Sequence, residues 1–378
     1  MRLIFIANIL NPVGGLERTL ADKSNWMVAQ GHEVLLLTYM QGHEPIYYPL
    51  DKRVQHVDLD TPLYKMYQVP PYARFWKYQK IHRTFRRRLS DVITSFKPDV
   101  ISITIPNTED FVYDMLRVAK GVRICIESHL ASSFHLLNKP FTERFIYRLF
   151  PPIKAYRRCD LLISLTQFDA KSWSDRGVKN VTIIPNPVTQ YSDQLPVVQR
   201  KPGRIIAVGR MYKQKRFNRL IDAFSIIAEK HPSWTLDIYG EGPLREDLQM
   251  HIESLGLQER IHLNEPTHDI YAEYLRSEFF VLSSDFEGFG LVIVEAMACG
   301  IPVVSTDCPY GPSEIVEDGK TGLLAKMEVQ DLADKMEWMI IHTKEREKMG
   351  QMARQVAAKY KMENVMKEWE QAYLPVTR

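Results

Sequence analysis

Short β-branched runs separated by longer amphipathic stretches recur along this chain. That alternation dictates a parallel sheet whose strands are joined by crossover helices. The strand candidates of the first half are 3–9, 34–38, 100–105, 123–127, 161–165 and 181–184. The rhythm then breaks at 189–203, TQYSDQLPVVQRKPG, which carries Pro196, Pro202 and Gly203. It restarts with candidates at 204–208, 235–239, 260–263, 279–283 and 302–305. A chain of 378 residues exceeds one ordinary core, so the break divides two domains, expected at 1–192 and 200–358. Each half is long enough for its own doubly wound sheet, and such sheets take ligands at the carboxyl ends of their strands. Two facing sheets imply a cleft between the domains.

Composition removes several alternatives. A net charge of +3 from 49 basic and 46 acidic residues gives no global attraction to polyanions, so any such affinity needs a local patch. Cys125, Cys159, Cys299 and Cys308 lie far apart and form no CxxC, which fits a reducing cytoplasm and neither a disulfide framework nor a zinc site. No apolar run reaches the length of a membrane span. MRLIFIANILNPVGG reaches a polar break after a few residues with no cleavage site, so it reads as a first strand rather than a signal peptide.

Glycines follow the strands. The first strand runs into NPVGGLERTL, with Gly14 and Gly15 ahead of a helix starting near Leu16. Glycine lets backbone approach a phosphate, and a helix N-terminus offers free N–H groups, although a plain strand-to-helix turn explains the same residues. The three spaced glycines of a dinucleotide fingerprint are missing, which counts against a nicotinamide oxidoreductase. In the second half strand 204–208 ends in Gly209-Arg210, and Lys215 follows in GRMYKQKR. Two cations five residues apart after a strand suit a diphosphate, or form a solvated basic loop. YGEGPLR then closes the next strand with Gly240 and Gly242, again a turn expected to leave room for a ligand.

VGR with Lys215, then YGEGPLR, then EGFGLVIVEAMACGIPVV resemble, in this order and spacing, the group 1 retaining glycosyltransferases of GT-B architecture. Gly14-Gly15, Ser128-His129, IIPNPV and CPYGPSEIVEDGKTGLL agree, so the resemblance covers nearly the whole chain and is most specific over 205–324. It implies an α/β fold of two Rossmann-like doubly wound domains, with the last segment, 359–378, crossing back onto the first. Glu287 and Glu295 resemble the family's E-x7-E pair. By that resemblance Glu287 accepts a hydroxyl of the donor sugar, and the amides of Phe289, Gly290 and Leu291 face the sugar and phosphates. Glu295 holds the vicinal ribose hydroxyls, for which two acceptor oxygens are suited. Arg210 and Lys215 stabilise the departing diphosphate, with Gly240 beside the donor and Gly15 approaching from the other domain. His129 contacts the donor sugar, although a lone histidine is by itself more often structural.

A glutamate pair near a sugar also suits a glycosidase, whose carboxylates stand roughly 5–10 Å apart. On one helix, eight residues span about 12 Å, which favours gripping two ends of a nucleotide sugar. A glycosidase also has no diphosphate to occupy the basic pair. GT-B phosphorylases and sugar 2-epimerases share the architecture, and fold alone does not separate them. The expected activity is retaining transfer of a hexose or N-acetylhexosamine from a nucleotide diphosphate sugar, with UDP the commoner family donor. The acceptor is a saccharide or lipid-linked saccharide of envelope or surface polysaccharide. No acidic cluster suggests a required metal, and no cofactor is expected beyond the donor itself.

One segment stands outside this scheme. YARFWKYQKIHRTFRRRLSDVI, 72–93, carries seven Lys or Arg and no acid before Asp91. On a helical wheel Phe75, Tyr78, Ile81, His82, Phe85, Leu89 and Val92 form one apolar arc. Arg74, Lys77, Lys80, Arg83, Arg86, Arg87 and Arg88 take the remainder, with Trp76 among them. A surface helix on the first sheet explains the apolar arc but not the one-sided charge. Anionic headgroups fit it, making an anionic membrane surface a candidate partner and the inner face of the cytoplasmic membrane a candidate location. Arg144, Arg148, Lys154, Arg157 and Arg158 extend the basic patch. No recognition motif for nucleic acid accompanies it.

Overall fold

The computed structural model describes residues 1–105, 111–129, 152–191 and 195–374. The chain divides into two compact units, Met1–Ile184 with Met366–Arg378, and Pro185–Val365. The proline- and glycine-bearing break of the sequence therefore begins a few residues inside the second unit.

The first unit is built on seven strands: β1 (Arg2–Ile6), β2 (Glu33–Thr38), β3 (Gln55–Asp58), β4 (Val100–Ile105), β5 (Arg123–Ser128), β6 (Leu161–Ser164) and β7 (Val181–Ile183). Their order is β3-β2-β1-β4-β5-β6-β7, every pairing parallel. The apolar runs recognised in the sequence are the central strands, buried on both faces: β4 reads VISITI and none of its residues is exposed. β3, QHVD, escapes the pattern because it is an exposed polar edge, fixed to β2 by Thr38 Oγ1 donating to Asp58 Oδ1 at 3.1 Å. The first strand stops at Ile6, three residues short of expectation.

The second unit carries six strands: β8 (Arg204–Val208), β9 (Thr235–Tyr239), β10 (Ile261–Asn264), β11 (Phe279–Leu282), β12 (Val303–Thr306) and β13 (Gly322–Ala325). Their order, β10-β9-β8-β11-β12-β13, is again wholly parallel. β13 lacks a β-branched run. It opens on Gly322, where a Cβ would lie 2.2 Å from the Val303 carbonyl oxygen of β12. Helix Phe217–Ala228 buries Phe217, Leu220, Ile221, Phe224 and Ile227, the i, i+3, i+4 spacing of a helix laid on a sheet. In each sheet the order reverses between the two central strands, at β1/β4 and at β8/β11. At such reversals, ligands in folds of this kind bind beyond the carboxyl ends of the strands.

Helix Pro71–Phe96 is the expected basic segment, and Pro71 at its first turn fits a helix start. It buries Ile81, His82, Phe85, Leu89 and Phe96. Phe75 departs from the expected arc, since it is 61% exposed. His82 Nδ1 meets Asp114, and Arg86 donates to Asp114 Oδ1 at 2.7 Å. Arg88 binds the carbonyls of Leu59 and Asp60, and Arg74 lies over the Tyr67 ring. Lys80, Arg83 and Arg87 stay exposed and have no carboxylate partner among the described residues, and Lys77 is half-buried. Arg144 and Arg148 lie outside the described residues. Arg157 is engaged elsewhere, donating from Nε to the Arg176 carbonyl at 2.7 Å.

Candidate active site

In the second unit the loops after β8 and β11 are stitched together. Lys215 sits in a short 3-10 turn after β8, its stem over Gly209, where a Cβ would stand 3.1 Å from Lys215 Cε. Its Nζ reaches Glu287 Oε1 at 2.7 Å, with both side chains largely buried. Ser284 Oγ donates to the same oxygen at 2.5 Å. Gln214 donates through Nε2 to the Phe286 carbonyl at 2.7 Å, and its own carbonyl accepts from the Asp285 amide at 2.9 Å. Arg219 clamps Asp285 Oδ1 at 2.7 Å. The structure thus brings Lys215 and Glu287 together. Arg210 is exposed, packed over the Tyr212 ring, with no carboxylate partner among the described residues.

Glu287 lies in the loop and Glu295 inside helix Leu291–Ala298. Gly290 caps that helix at φ +93°, a left-handed conformation that favours glycine. Phe289 turns its ring inward against Tyr360, at 5.7 Å between centroids, leaving only its backbone for a ligand. Gly311, in the loop after β12, packs on that backbone, where a Cβ would lie 2.3 Å from the Phe289 oxygen. Leu291 opens the helix. Glu295 is 3% exposed and accepts from Tyr274 Oη at 3.1 Å. Burial, and then the Glu295 charge, push the Tyr274 phenol well above its ordinary value, so it stays a donor. The room left by Gly240 is filled by protein: a Cβ there would lie 1.9 Å from the Gly209 oxygen. That glycine allows the loops after β8 and β9 to touch.

In the first unit Gly14 and Gly15 begin helix Gly15–Ala29 after β1. The buried Glu17 folds back over Gly14, where a Cβ would meet its Oε2 at 2.3 Å. Ser128 is a strut, donating to Asp169 Oδ2 at 2.8 Å and accepting from Trp173 Nε1 at 3.0 Å. His129 follows β5, its side chain 3% exposed, with Nε2 3.1 Å from Glu127 Oε2. Sequence reasoning named His129 but missed Glu127 and its cation Lys23, which is fully buried among Phe5, Trp369 and Tyr373. The available signal was a lone glutamate within the apolar strand RICIES, which has to find a cation. Burial alone would raise the Glu127 carboxyl, but Lys23 and then His129 outweigh it and hold it far below the usual carboxylate range.

Residues 13–190 match the family model Glycosyltransferase Family 4, and residues 193–356 match Glycosyl transferases group 1. With two such sheets and these loops, the chain belongs to the group 1 glycosyltransferases of GT-B fold. It is 26% identical to the amylovoran biosynthesis glycosyltransferase AmsD of Erwinia amylovora, over 97% of each chain. It is 23% identical to a Campylobacter jejuni enzyme named for adding α-1,4-N-acetylgalactosamine to an undecaprenol-diphosphate-linked saccharide, over 98% of this chain and 97% of that one. Staphylococcus aureus TarM, solved as a mutant with fondaparinux, α-GlcNAc-glycerol and UDP, superposes with a TM-score of 0.79 at 15% identity. That match covers 99% of this chain and all of TarM.

Proposed function

We propose that this glycosyltransferase moves a hexose or N-acetylhexosamine from a UDP-linked donor, with retention, onto a saccharide or lipid-linked saccharide acceptor in cell-surface polysaccharide assembly. The observation that carries the reading is the Lys215–Glu287 pair, 2.7 Å apart where β8 and β11 diverge. A diphosphate entering there draws Lys215 off the carboxylate, and Glu287 turns to a sugar hydroxyl. Arg210, unpaired with any described carboxylate, adds a second cation against charge that grows as the sugar–phosphate bond breaks, which is electrostatic catalysis. In this reading the two cations, rather than a metal, balance the leaving group, and its phosphate takes the acceptor's proton on the same face. The relatives' names support the pathway, and UDP in the TarM complex supports the nucleotide.

Purified protein should be screened against UDP- and GDP-linked hexoses and N-acetylhexosamines by thermal shift, then for nucleotide release with saccharide acceptors. Retained anomeric configuration by proton NMR is expected. An inverted product, or sugar phosphate formed only with added inorganic phosphate, would replace this mechanism with inversion or phosphorolysis.

A lipid-linked acceptor places the enzyme at a membrane, and the basic helix offers the means. Trp76 is 73% exposed and shares one helical stripe with Lys80, Arg83 and Arg87. Among the described residues no helix is long and apolar enough to cross a membrane. Reversible docking on the inner face of the cytoplasmic membrane is the arrangement this stripe supports.

A further inference from the structure

Glu127 sits in the middle of the first sheet, and its two oxygens do different things. Oε1 accepts from Lys23 Nζ, from Ser102 Oγ at 2.5 Å and from Tyr373 Oη at 3.0 Å. Oε2 faces His129 Nε2 at 3.1 Å. A buried ion pair with two hydroxyl donors is a complete structural unit. It does not account for the second oxygen being turned to a histidine at the carboxyl end of β5. Nor does it account for the other ring nitrogen, His129 Nδ1, which is buried and has no hydrogen-bond partner among the described residues.

An ionised carboxylate only accepts, so the nitrogen facing it carries the proton. In the neutral ring this is the Nε2–H tautomer, with the lone pair left on Nδ1. A buried acceptor with no partner is costly unless a ligand meets it. We propose that Glu127 is a positioning residue for sugar transfer: it fixes His129 as the Nε2–H tautomer so that Nδ1 accepts a hydrogen bond from a substrate sugar hydroxyl. This rests on the glycosyl-transfer reading for the ligand, but not for the tautomer. Lys23, Ser102 and Tyr373 hold the carboxylate in turn, so the C-terminal helix Met362–Tyr373 reaches the site through Tyr373.

The test begins on the ligand-free protein. Two-bond proton–nitrogen correlation spectra of 15N-histidine-labelled chain, with His129→Ala identifying the signals, should show Nε2 protonated. Glu127→Gln offers an amide donor to Nε2, and the His129 signals should move to the Nδ1–H pattern. With donor and acceptor in hand, Glu127→Gln should lower kcat by about 10-fold, the scale of losing one hydrogen bond. It should add nothing further in a His129→Ala background. An Nδ1–H ring in the wild type overturns the proposal even if Glu127→Gln does not fold. A tautomer unmoved in folded Glu127→Gln overturns it equally. If the tautomer result holds while no nucleotide sugar is consumed, the transfer reading has failed and the positioning of His129 stands.

Discussion

Lys215 and Glu295 both reached the site through sequence spacing, yet the structure gives them different neighbours and so different expected phenotypes. Lys215 is one hydrogen bond from Glu287, a pair that in the proposed reading an entering diphosphate reorganises. Glu295 is held by the buried Tyr274, and in the proposed reading its carboxylate holds the donor's ribose alike in ground and transition states. Interactions equal in both states set affinity, and those that strengthen as charge develops set turnover. Glu295→Ala should therefore raise the donor KM about 10-fold or more with kcat little changed. Lys215→Ala should lower kcat about 100-fold, the scale of losing one electrostatic stabiliser. Steady-state kinetics on the true donor decide, and an unchanged kcat for Lys215→Ala removes that residue from the mechanism. The family resemblance named these two because its motifs are short local runs of sequence. Glu127, Lys23 and Tyr373 escaped because only the sheet brings residues so distant in sequence together.

At the scale of elements, the inner strands were legible because burial on both faces demanded an apolar run; of the four edge strands β7 and β10 were expected, and β3 and β13 were not among the strand candidates. β3 shows polar residues because half of it meets solvent, and β13 is set by the closeness of Gly322 to β12. The basic helix was legible as a helix but not in the fate of its charges. Arg86 and Arg88 anchor it to the first unit, and Arg74 packs on Tyr67, leaving Lys77, Lys80, Arg83 and Arg87 for other work. Tyr72 (84% exposed), Phe75 and Trp76 add aromatic surface at the same end, which suits the boundary between headgroups and acyl chains. Each cation near an anionic surface contributes about 1 kcal/mol. Vesicle co-sedimentation should rise with anionic lipid and fall between 0.1 M and 1 M salt, as the screening length drops from about 10 Å to about 3 Å. Glutamate at Lys80, Arg83 and Arg87 together should abolish it and leave nucleotide binding unchanged. If wild-type protein ignores anionic vesicles at low salt, these cations are a solvated helix face and the acceptor is soluble.

The whole molecule is two separately cored units, and each holds two cysteines: buried Cys125 and half-buried Cys159 in the first, buried Cys299 and Cys308 in the second. Phe85, Phe111 and Trp173 belong to one core, and Phe224, Phe279 and Met336 to the other. Burial pushes the Cys125, Cys159 and Cys308 thiols from 9.0 up to about 12, and drives Cys299 upward as well. Raised thiols hold little thiolate at neutral pH, and thiolate is the reactive form. In native buffer all four should therefore resist iodoacetamide, and each should react only as its own unit opens. Domains with independent cores can unfold separately. Labelling along a urea series, read by mass spectrometry, should show Cys125 rising with Cys159, and Cys299 with Cys308. UDP at 100 times its Kd stabilises the form that binds it by about 2.7 kcal/mol. Because Lys215, Glu287 and Glu295 all lie in the second unit, UDP should shift the Cys299–Cys308 transition to higher urea and leave the other in place. A shift confined to Cys125 and Cys159 would move the nucleotide site to the first unit. A shift common to all four would show that the two units unfold as one.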